Sequence, residues 1–409
     1  MKILHALETL SPRYGGPVSV LLALAAAQQR AGHEVTIATT NADHPRGVFR
    51  EPGWNALAQG AVSVYYAPLQ FAPLRVSRQL ATYLNGAVAR FDIVHVHGLY
   101  RFPPTWAAWQ ARRQGVPYVI RPHGALDPYL YTRSSSRNLR FKRLYERCFD
   151  LPNLHAAGAI HYTAEEERER ASFLGLKAPS FVVPNGLDWA RYRELPARGA
   201  LRARWGLGEA PVVLFLGRLH FKKGLDLLIP AFDALRRSVP DAQLVIAGPE
   251  NDDYGRKVRG WVGERGLQAA VHFVGSLEGA DVVQAYVDAD GFALPSYTEN
   301  FGMTVAEAMA CALPVVISDQ VNIHAEVSGA GAGLVTACDV GEVTAALESL
   351  LRDPDRRRAM GAAGRRLVQE RFAWPAIVEQ LTAEYQKVID RHGGAGAGRG
   401  AAAVGGGAK

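Results

Sequence analysis

The chain has 409 residues, of which 48% are hydrophobic and 21% charged, as in a soluble globular protein with more than one domain. Its three cysteines are odd in number and far apart, which excludes a disulfide framework or cysteine metal cluster and indicates a reducing cytoplasm. Residues 1–190 carry 21 lysines and arginines against 13 acidic residues, an excess that indicates either an anionic partner or simply an arginine-rich composition. The N-terminus is too short and interrupted for a signal peptide, and no apolar run approaches the roughly 18 residues of a membrane span.

Short β-rich runs alternate with amphipathic helical stretches, the pattern of parallel sheets with crossover helices. The first half is predicted to contain the helix Pro17–Ala31 and the strands Ile3–Leu4, Glu34–Thr39, Val62–Tyr66, Ile93–Val96, Tyr118–Ile120, Ala159–Tyr162 and Phe181–Val183. The second half is predicted to contain the strands Val212–Leu216, Leu244–Ala247, Val271–Val274, Gly291–Leu294 and Pro314–Ile317. We therefore expect two doubly wound sheets in tandem, with a cleft between them.

The domain boundaries follow from this pattern. The hinge is predicted near Pro184-Asn185-Gly186, so the first domain is expected to span residues 1–184 and the second residues 185–372. A final helix is predicted within residues 373–391. Residues 392–409 are rich in glycine and alanine without core-forming side chains, and we expect them to be disordered.

The strongest functional signal is ALPSYTENFGMTVAEAMACALPVV, residues 293–316. After a strand, Glu299 lies in a loop, Gly302-Met303-Thr304 opens a helix, and Glu307 follows one turn later. Open α/β folds bind ligands at the carboxyl ends of their strands, and a helix N-terminus attracts phosphate through its unpaired amides. Glu307 is suited to bind ribose hydroxyls and Glu299 to face a sugar ring. Each glutamate taken alone is more typical of a solvated helix terminus, and it is the whole segment that favours a site.

A second signal is FLGRLHFKKG, residues 215–224, which places Arg218 and Lys223 in a loop after a strand. Their two charges match those of a nucleotide diphosphate. Each close pair is worth about 4 kcal/mol at an effective dielectric near 20, before desolvation is subtracted. Such a pair stabilises a departing diphosphate, a task that a divalent metal performs in other enzymes.

Arg218, Lys223 and the spacing of Glu299 and Glu307 resemble the signature of the retaining glycosyltransferases of family 4, the group 1 glycosyltransferases. That family has the GT-B fold, an α/β architecture of two doubly wound Rossmann-like domains facing a cleft. Further matches are Tyr14-Gly15-Gly16-Pro17, Gly32-His33-Glu34-Val35, Val183-Pro184-Asn185-Gly186-Leu187-Asp188 and Phe372-Ala373-Trp374. The resemblance implies that the final helix crosses back to the first domain.

The resemblance also implies residue roles. The implied donor-binding residues are Gly16, Arg218, Lys223, Glu299, Asn300, Phe301, Gly302, Met303 and Glu307. The implied catalytic residues are His123, Arg218, Lys223 and Glu299. His123 matches the position that faces the reacting sugar, although a histidine after a strand is otherwise a common hydrogen-bonded loop residue.

The implied activity is transfer of a sugar from a nucleotide-diphosphate sugar with retention of configuration, without metal or other cofactor. The implied acceptor is a glycan or a polyprenyl-linked saccharide of polysaccharide biosynthesis. Residues 319–324, DQVNIH, resemble members involved in bacterial exopolysaccharide assembly.

Two further motifs have metal-ligand residue types. His95 and His97 alternate along a strand and share a face, but no third ligand is evident for zinc. The resemblance places this strand end near the acceptor, with His97 the expected contact. Asp288-Ala289-Asp290 has the same residue pattern as the metal-binding motif of a different glycosyltransferase fold. Here we interpret it as the structural end of a helix.

Residues 131–147, YTRSSSRNLRFKRLYER, are strongly basic. They hold Arg133, Arg137, Arg140, Lys142, Arg143 and Arg147 against only Glu146. Helical spacing places Phe141, Leu144 and Tyr145 on one side, which predicts a cationic amphipathic helix. Such a helix is expected to dock on the anionic inner face of the cytoplasmic membrane or to receive the pyrophosphate of a lipid-linked acceptor. The alternative is a solvated surface helix.

Two other functions remain open from the sequence. A nucleotide-sugar epimerase shares the GT-B architecture, and an anion- or nucleic-acid-binding protein would use the basic first half. The second alternative leaves residues 293–316 unexplained. A dinucleotide-dependent dehydrogenase is excluded because neither first-strand turn has G-x-G-x-x-G.

Overall fold

The computed structural model describes residues 1–11, 16–44, 53–56, 62–128, 136–250 and 252–403. The chain divides into two units. Unit 1 comprises residues 1–186 and 374–409, and unit 2 comprises residues 187–373. The predicted boundary after residue 184 therefore lies within two residues of the observed one, and the C-terminal helix belongs to unit 1 as expected.

Unit 1 contains an eight-stranded sheet in the order β3-β4-β2-β1-β5-β6-β7-β8. Its strands are β1 (Lys2–Thr9), β2 (Glu34–Thr40), β3 (Gly53–Ala56), β4 (Ser63–Ala67), β5 (Ile93–His97), β6 (Tyr118–Arg121), β7 (Ala159–Tyr162) and β8 (Ser180–Val182). Only β3 runs antiparallel to its neighbour. The central strands are near-continuous apolar runs because helices cover both faces of a parallel sheet.

The helices of unit 1 connect these strands. They are α1 (Gly16–Arg30), α2 (Arg78–Ala87), α3 (Phe102–Gln114), α4 (Ser136–Tyr145), α5 (Leu151–His155), α6 (Glu165–Ala171) and, at the C-terminus, α16 (Trp374–Ala403). Helix α16 packs against α1. Tyr385 and Val388 of α16 are fully buried, so this last helix completes the core of unit 1.

Unit 2 contains a six-stranded parallel sheet in the order β11-β10-β9-β12-β13-β14. Its strands are β9 (Val212–Leu216), β10 (Gln243–Ala247), β11 (Val271–Gly275), β12 (Gly291–Leu294), β13 (Val315–Ser318) and β14 (Gly333–Thr336). Its helices are α7 (Ala190–Arg193), α8 (Ala200–Trp205), α9 (Leu225–Leu235), α10 (Asp252–Glu264), α11 (Ala280–Asp288), α12 (Met303–Ala310), α13 (His324–Gly329), α14 (Val340–Arg352) and α15 (Pro354–Leu367).

Most predicted strands lie within two residues of the observed ones, and the differences have local causes. Strand β1 extends to Thr9, beyond the two predicted residues, because His5, Glu8 and Thr9 are buried together with its apolar residues. The edge strands Gly53–Ala56 and Gly333–Thr336 were missed, since glycine and asparagine disfavour strands. The last helix α16 runs to Ala403 and so extends into residues 392–409, the tail that was expected to be disordered. Residues 404–409 lie outside the described residues.

The acidic motif 288–290 has the structural role expected of it. The Asp288 carboxylate accepts hydrogen bonds from the backbone N–H groups of Gly199 and Leu201, at 2.5 and 2.7 Å, and so caps α8. Asp290 forms ion pairs with Arg198 and Arg202, each at 2.7 Å. Separately, no helix of the described part of the chain combines the length and the apolar character needed to cross a membrane.

Candidate active site

Two loops of unit 2 lie side by side because the strands before them are neighbours. Strand β9 pairs with β12, and each is followed by a loop at its carboxyl end. The Tyr297 N–H donates to the Lys222 carbonyl at 2.8 Å, which joins the loops. Gly224 has φ +69°, and a Cβ there would lie 1.9 Å from the Pro295 carbonyl oxygen. Only glycine allows this approach, so Gly224 fixes how closely the loops meet.

The first loop is cationic. Arg218 is exposed, and Lys223 ends the 3₁₀ turn Phe221–Lys223. The pKa of His220 is lowered by burial and, next, by the charges of Arg218, Lys222 and Lys223. The loop therefore concentrates positive charge at the carboxyl edge of the sheet.

A carboxylate of the second loop contacts this positive charge. Lys223 Nζ forms an ion pair with Glu299, and the two side chains are 19% and 20% exposed. Backbone bonds fix Glu299, since its N–H donates to the Gln320 carbonyl at 3.1 Å and its carbonyl accepts from the Asn322 N–H at 3.0 Å. The structure thus brings together two residues that are 76 positions apart in the sequence.

The second loop leads into helix α12. Gly302 has φ +78° and caps the helix, which begins at Met303, while Asn300 precedes it in the loop. Phe301 is buried against Phe372, with ring centroids 5.4 Å apart. The buried Phe301 ring anchors the loop, so the N-terminal amides of α12 lie close to Glu299 in the chain.

Glu307 lies one turn into α12 and is partly exposed. Its carboxylate accepts a hydrogen bond from the Tyr286 hydroxyl at 3.0 Å. Burial raises the pKa of Glu307, an effect that the bond from Tyr286 and the charge of Arg191 partly offset. A carboxylate held from one side in this way is suited to bind a diol of a ligand with its remaining lone pairs.

The remaining candidates lie in unit 1. Gly16 is the exposed first residue of α1, whereas Tyr14 and Gly15 lie outside the described residues. His123 follows β6 with φ +54°, a left-handed conformation that is rare for a residue with a Cβ. It is partly exposed and lines a cavity of about 630 Å³ within unit 1. Strained backbone of this kind is often found at functional sites.

Basic side chains also line that cavity. Arg101 contacts the buried Glu8 at 3.2 Å, and Lys142 lies 4.4 Å from the centroid of the Tyr100 ring. The Tyr100 hydroxyl donates to Glu146 at 2.9 Å. The cavity therefore combines a histidine, two cations and hydrogen-bonding groups, a set that suits a phosphate-bearing polyol.

His97 does not lie where the sequence predicted. Its side chain is 1% exposed, and its two ring nitrogens bond to His5, at 2.9 Å, and to His123, at 3.1 Å. Direct contact with an acceptor is therefore not supported, because His123 lies between His97 and the cavity. The structure also supplies the third histidine that the sequence analysis lacked: His5, His95 and His97 offer nitrogen atoms that all lie within 4.8 Å of one another.

The sequence contains a pattern that could have indicated this histidine cluster. Each of the central strands β1, β5, β6 and β7 carries a histidine or arginine within an otherwise apolar run, and these residues are His5, His95, His97, Arg121 and His161. Strand register brings them together, since His5 pairs with His95 and His97 with Arg121. Register between distant strands cannot be obtained from spacing within one strand, so His5 and His161 were missed.

The aromatic and apolar residues of α4 do not all lie on one exposed side, contrary to the prediction from the sequence. Phe141 and Leu144 are 56% and 62% exposed, together with Arg140, Arg143 and Arg147. Tyr145, expected beside Phe141 and Leu144, turns inward instead, and its hydroxyl donates to Thr105 at 3.0 Å. The acidic Glu146 is buried as well. Arg133 and the side chain of Arg137 lie outside the described part of the chain.

Comparison with protein families gives two matches that together span most of the chain. Residues 198–367 match the model of "Glycosyl transferases group 1". Residues 15–186 match the "Glycosyl transferase 4-like domain".

Curated relatives agree with these matches. A D-inositol 3-phosphate glycosyltransferase of Nocardia farcinica is 34% identical over 82% of this chain and 74% of its own length. A GDP-mannose-dependent alpha-(1-6)-phosphatidylinositol monomannoside mannosyltransferase of Mycolicibacterium smegmatis is 34% identical over 53% of this chain. The chain spans 59% of the length of this second relative.

Solved structures are similar in fold. A sucrose-phosphate synthase of Thermosynechococcus elongatus has a TM-score of 0.75 at 23% identity and covers 96% of this chain and 100% of its own. The Anabaena protein HepE in complex with UDP and glucose has a TM-score of 0.71 at 20% identity and covers 94% of this chain and 98% of its own. At these identities the likeness concerns the fold, which is that of GT-B glycosyltransferases.

Proposed function

The chain belongs to the group 1 glycosyltransferases, and we propose that it transfers a hexose from a nucleoside-diphosphate hexose to a hydroxyl of an acceptor, with retention of configuration. The observation that carries this proposal is the contact between the two loops of unit 2. It sets a lysine, an arginine and a carboxylate at the carboxyl edge of one sheet, beside the N-terminus of a helix. A diphosphate joined to a polyol matches this combination, because the cations and helix amides bind phosphate and the carboxylate binds hydroxyls.

The proposed roles follow from charge and geometry. Arg218 and Lys223 neutralise the diphosphate, and the amides at the start of α12 add further donors. Glu307 accepts hydrogen bonds from the ribose, and Glu299 accepts them from hydroxyls of the sugar. When Lys223 turns to the diphosphate, Glu299 becomes available to the sugar, so their contact couples binding of the two parts of the donor.

In the reaction, the bond between the anomeric carbon and the β-phosphate oxygen breaks, and the acceptor oxygen bonds to that carbon from the same face. The acceptor proton passes to the departing diphosphate. The negative charge that develops on the leaving group lies against Arg218 and Lys223, which stabilise it where it forms. We therefore propose that no metal ion is needed.

The acceptor is proposed to carry a phosphate. Support comes from the 630 Å³ cavity of unit 1, which is lined by Arg101, Lys142 and His123. The relatives' names specify phosphatidylinositol mannoside and inositol 3-phosphate as their substrates. A polyprenyl pyrophosphate saccharide of exopolysaccharide assembly would offer the same phosphate chemistry, and the experiment below separates these sources.

The face of α4 is proposed to dock on an anionic membrane. Exposed arginines surround two exposed apolar side chains, Phe141 and Leu144, while the acidic Glu146 is turned inward and leaves the positive field unopposed. Each cation near an anionic leaflet contributes about 1 kcal/mol, enough for reversible attachment when several act together. A lipid-bearing acceptor would then reach the protein from the same surface.

A donor and acceptor matrix tests the proposed function. GDP-mannose, UDP-glucose and ADP-glucose are each combined with inositol 3-phosphate, phosphatidylinositol and a polyprenyl pyrophosphate saccharide, and products are identified by mass spectrometry. We expect transfer with one donor to a phosphate-bearing acceptor. Conversion of donor without acceptor into an epimer, and no glycosylated product in any arm, would favour the epimerase instead.

A further inference from the structure

Buried imidazoles form a continuous hydrogen-bonded chain in unit 1 that the donor site does not involve. The histidines His5, His95, His97 and His161 lie on one face of the sheet, and each is at most 1% exposed. Helices α1 and α16 add Gln28 and Tyr385, both fully buried. The chain begins at His123, beside the cavity, and ends at the backbone carbonyl of Val183.

The far end fixes the direction of the hydrogen bonds. A carbonyl can only accept, so His161 Nε2, at 2.8 Å from the Val183 oxygen, carries a hydrogen. In a neutral ring His161 Nδ1 then accepts, and His95 Nε2 donates to it at 3.3 Å. His95 Nδ1 in turn accepts from the Tyr385 hydroxyl at 2.6 Å. The tautomer of each histidine is therefore set by its neighbour on the side of the Val183 carbonyl.

The same logic continues toward the cavity. Because the Tyr385 hydrogen points to His95, its oxygen is left to accept from the Gln28 amide nitrogen at 3.5 Å, the longest link of the chain. The Gln28 amide oxygen therefore faces His5 and accepts from His5 Nε2 at 2.7 Å. His5 Nδ1 accepts from His97 Nε2 at 2.9 Å, and His97 Nδ1 accepts from His123 Nε2 at 3.1 Å.

The surroundings keep the rings neutral. Burial lowers the pKa of His5 to about 4, and it lowers those of the other four histidines well below their usual value. The buried guanidinium of Arg121 adds to this effect. Glu167 is the nearby carboxylate, and it already accepts bonds from the N–H groups of Gly124 and Thr163, at 2.9 and 2.8 Å.

We propose that this chain, anchored at the Val183 carbonyl, holds His123 in the tautomer with Nε2 protonated and presents its Nδ1 as a hydrogen-bond acceptor. His123 then selects a hydroxyl that donates, and it rejects a group that can only accept. Gln28, Tyr385, His5 and His97 are positioning residues that act through His123. Their effect on turnover rests on the proposed transferase function, but the tautomer itself does not.

Metal binding by His5, His95 and His97 is the competing use of the cluster. All six of their ring nitrogens already have hydrogen-bond partners. A divalent ion would replace at least two of these bonds and would add two positive charges near Arg121. The hydrogen-bonded chain is therefore the arrangement that the geometry favours.

Nuclear magnetic resonance of the full-length protein, labelled with ¹⁵N-histidine, tests the proposal at neutral pH. The signal of His123 is assigned by its loss in His123→Ala, and long-range ¹H–¹⁵N correlations report which nitrogen carries the hydrogen. We expect one neutral form with Nε2 protonated. Tyr385→Phe and Gln28→Leu each remove the group that orients the chain, so a second signal with Nδ1 protonated should appear at His123. Tyr118→Phe is the control, since it also removes a buried hydroxyl, bonded at 2.7 Å to Asn153, outside the chain.

Activity gives an independent readout. Tyr385→Phe is expected to lower kcat about fivefold to tenfold, the scale of one misdirected hydrogen bond, with the KM for donor unchanged. Wild-type His123 protonated at Nδ1 or at both nitrogens would overturn the proposal. So would a single unchanged His123 signal in both variants, or one equivalent of zinc that copurifies and is lost in His95→Ala. If the spectra are as expected but no transfer is found with any acceptor, the tautomer stands and the proposed function fails.

Discussion

Replacing Lys223 by alanine should separate catalysis from stability. A lysine nitrogen about 4 Å from a phosphate oxygen gains about 4 kcal/mol at an effective dielectric near 20, and desolvation removes part of this. The remainder corresponds to a loss of about 100-fold or more in turnover. The substitution also removes the ion pair with Glu299, whose two side chains are about one-fifth exposed, and a mostly buried carboxylate left without its cation lowers the free energy of unfolding. Thermal unfolding measures this part separately from turnover.

The assay is the initial rate of nucleoside diphosphate release with acceptor present, alongside thermal unfolding. Lys257→Ala removes the same charge from an exposed site on α10, and it should leave the rate unchanged. Lys223→Arg keeps the charge and should recover part of the loss. Glu299→Gln should weaken turnover while affinity for the free nucleoside diphosphate is kept. A rate for Lys223→Ala within a few-fold of wild type, with the fold intact, would refute the proposed role.

Four other predictions follow from the same structure. Transfer should persist in EDTA, and loss on chelation that manganese restores would contradict a diphosphate neutralised by protein cations alone. Product NMR should show the anomeric configuration of the donor, and an inverted linkage would contradict retention. Flotation should find the protein on anionic vesicles at low salt but not at high salt, with binding reduced in Arg140→Ser/Arg143→Ser; a protein that stays unbound at low salt would contradict docking. Burial lowers the pKa of His5 from 6.5 to about 4, so its neutral form stabilises the fold above pH 6.5. The contribution of His5 should fall by about 2 kcal/mol between pH 6.5 and 5, so the free energy of unfolding from urea titrations should fall by at least that amount, because the other buried histidines act in the same direction. A flat profile would contradict it.

The placement of the proposed donor-site residues around one edge of the sheet could be predicted because their signal is local. Glu299, Gly302 and Glu307 lie within one strand–loop–helix segment, where residue type and spacing carry the chemistry. Arg218 and Lys223 follow a neighbouring strand in the same way. Their contact with the second loop depends on β9 and β12 being adjacent, which the alternation of strands and helices suggested only as a general property of the fold.

The histidine chain could not be predicted, because it depends on register. His5 and His97 are 92 positions apart, and His95 and Tyr385 are 290 apart. Spacing within β5 predicted correctly that His95 and His97 share a face, but it could not show that the face is covered by helices. The expected contact between His97 and the acceptor is not supported for this reason. Tyr145 was misplaced similarly, since helical spacing gives a shared side but not which side meets the core.

A crystal structure with UDP or GDP bound would test the central claim most directly. The account predicts the ribose hydroxyls on the Glu307 carboxylate and the β-phosphate, which is the terminal phosphate, between Arg218 and Lys223 and facing the N-terminus of α12. Density for the nucleotide at any other place on the protein, or a diphosphate that contacts neither Arg218 nor Lys223, would contradict it.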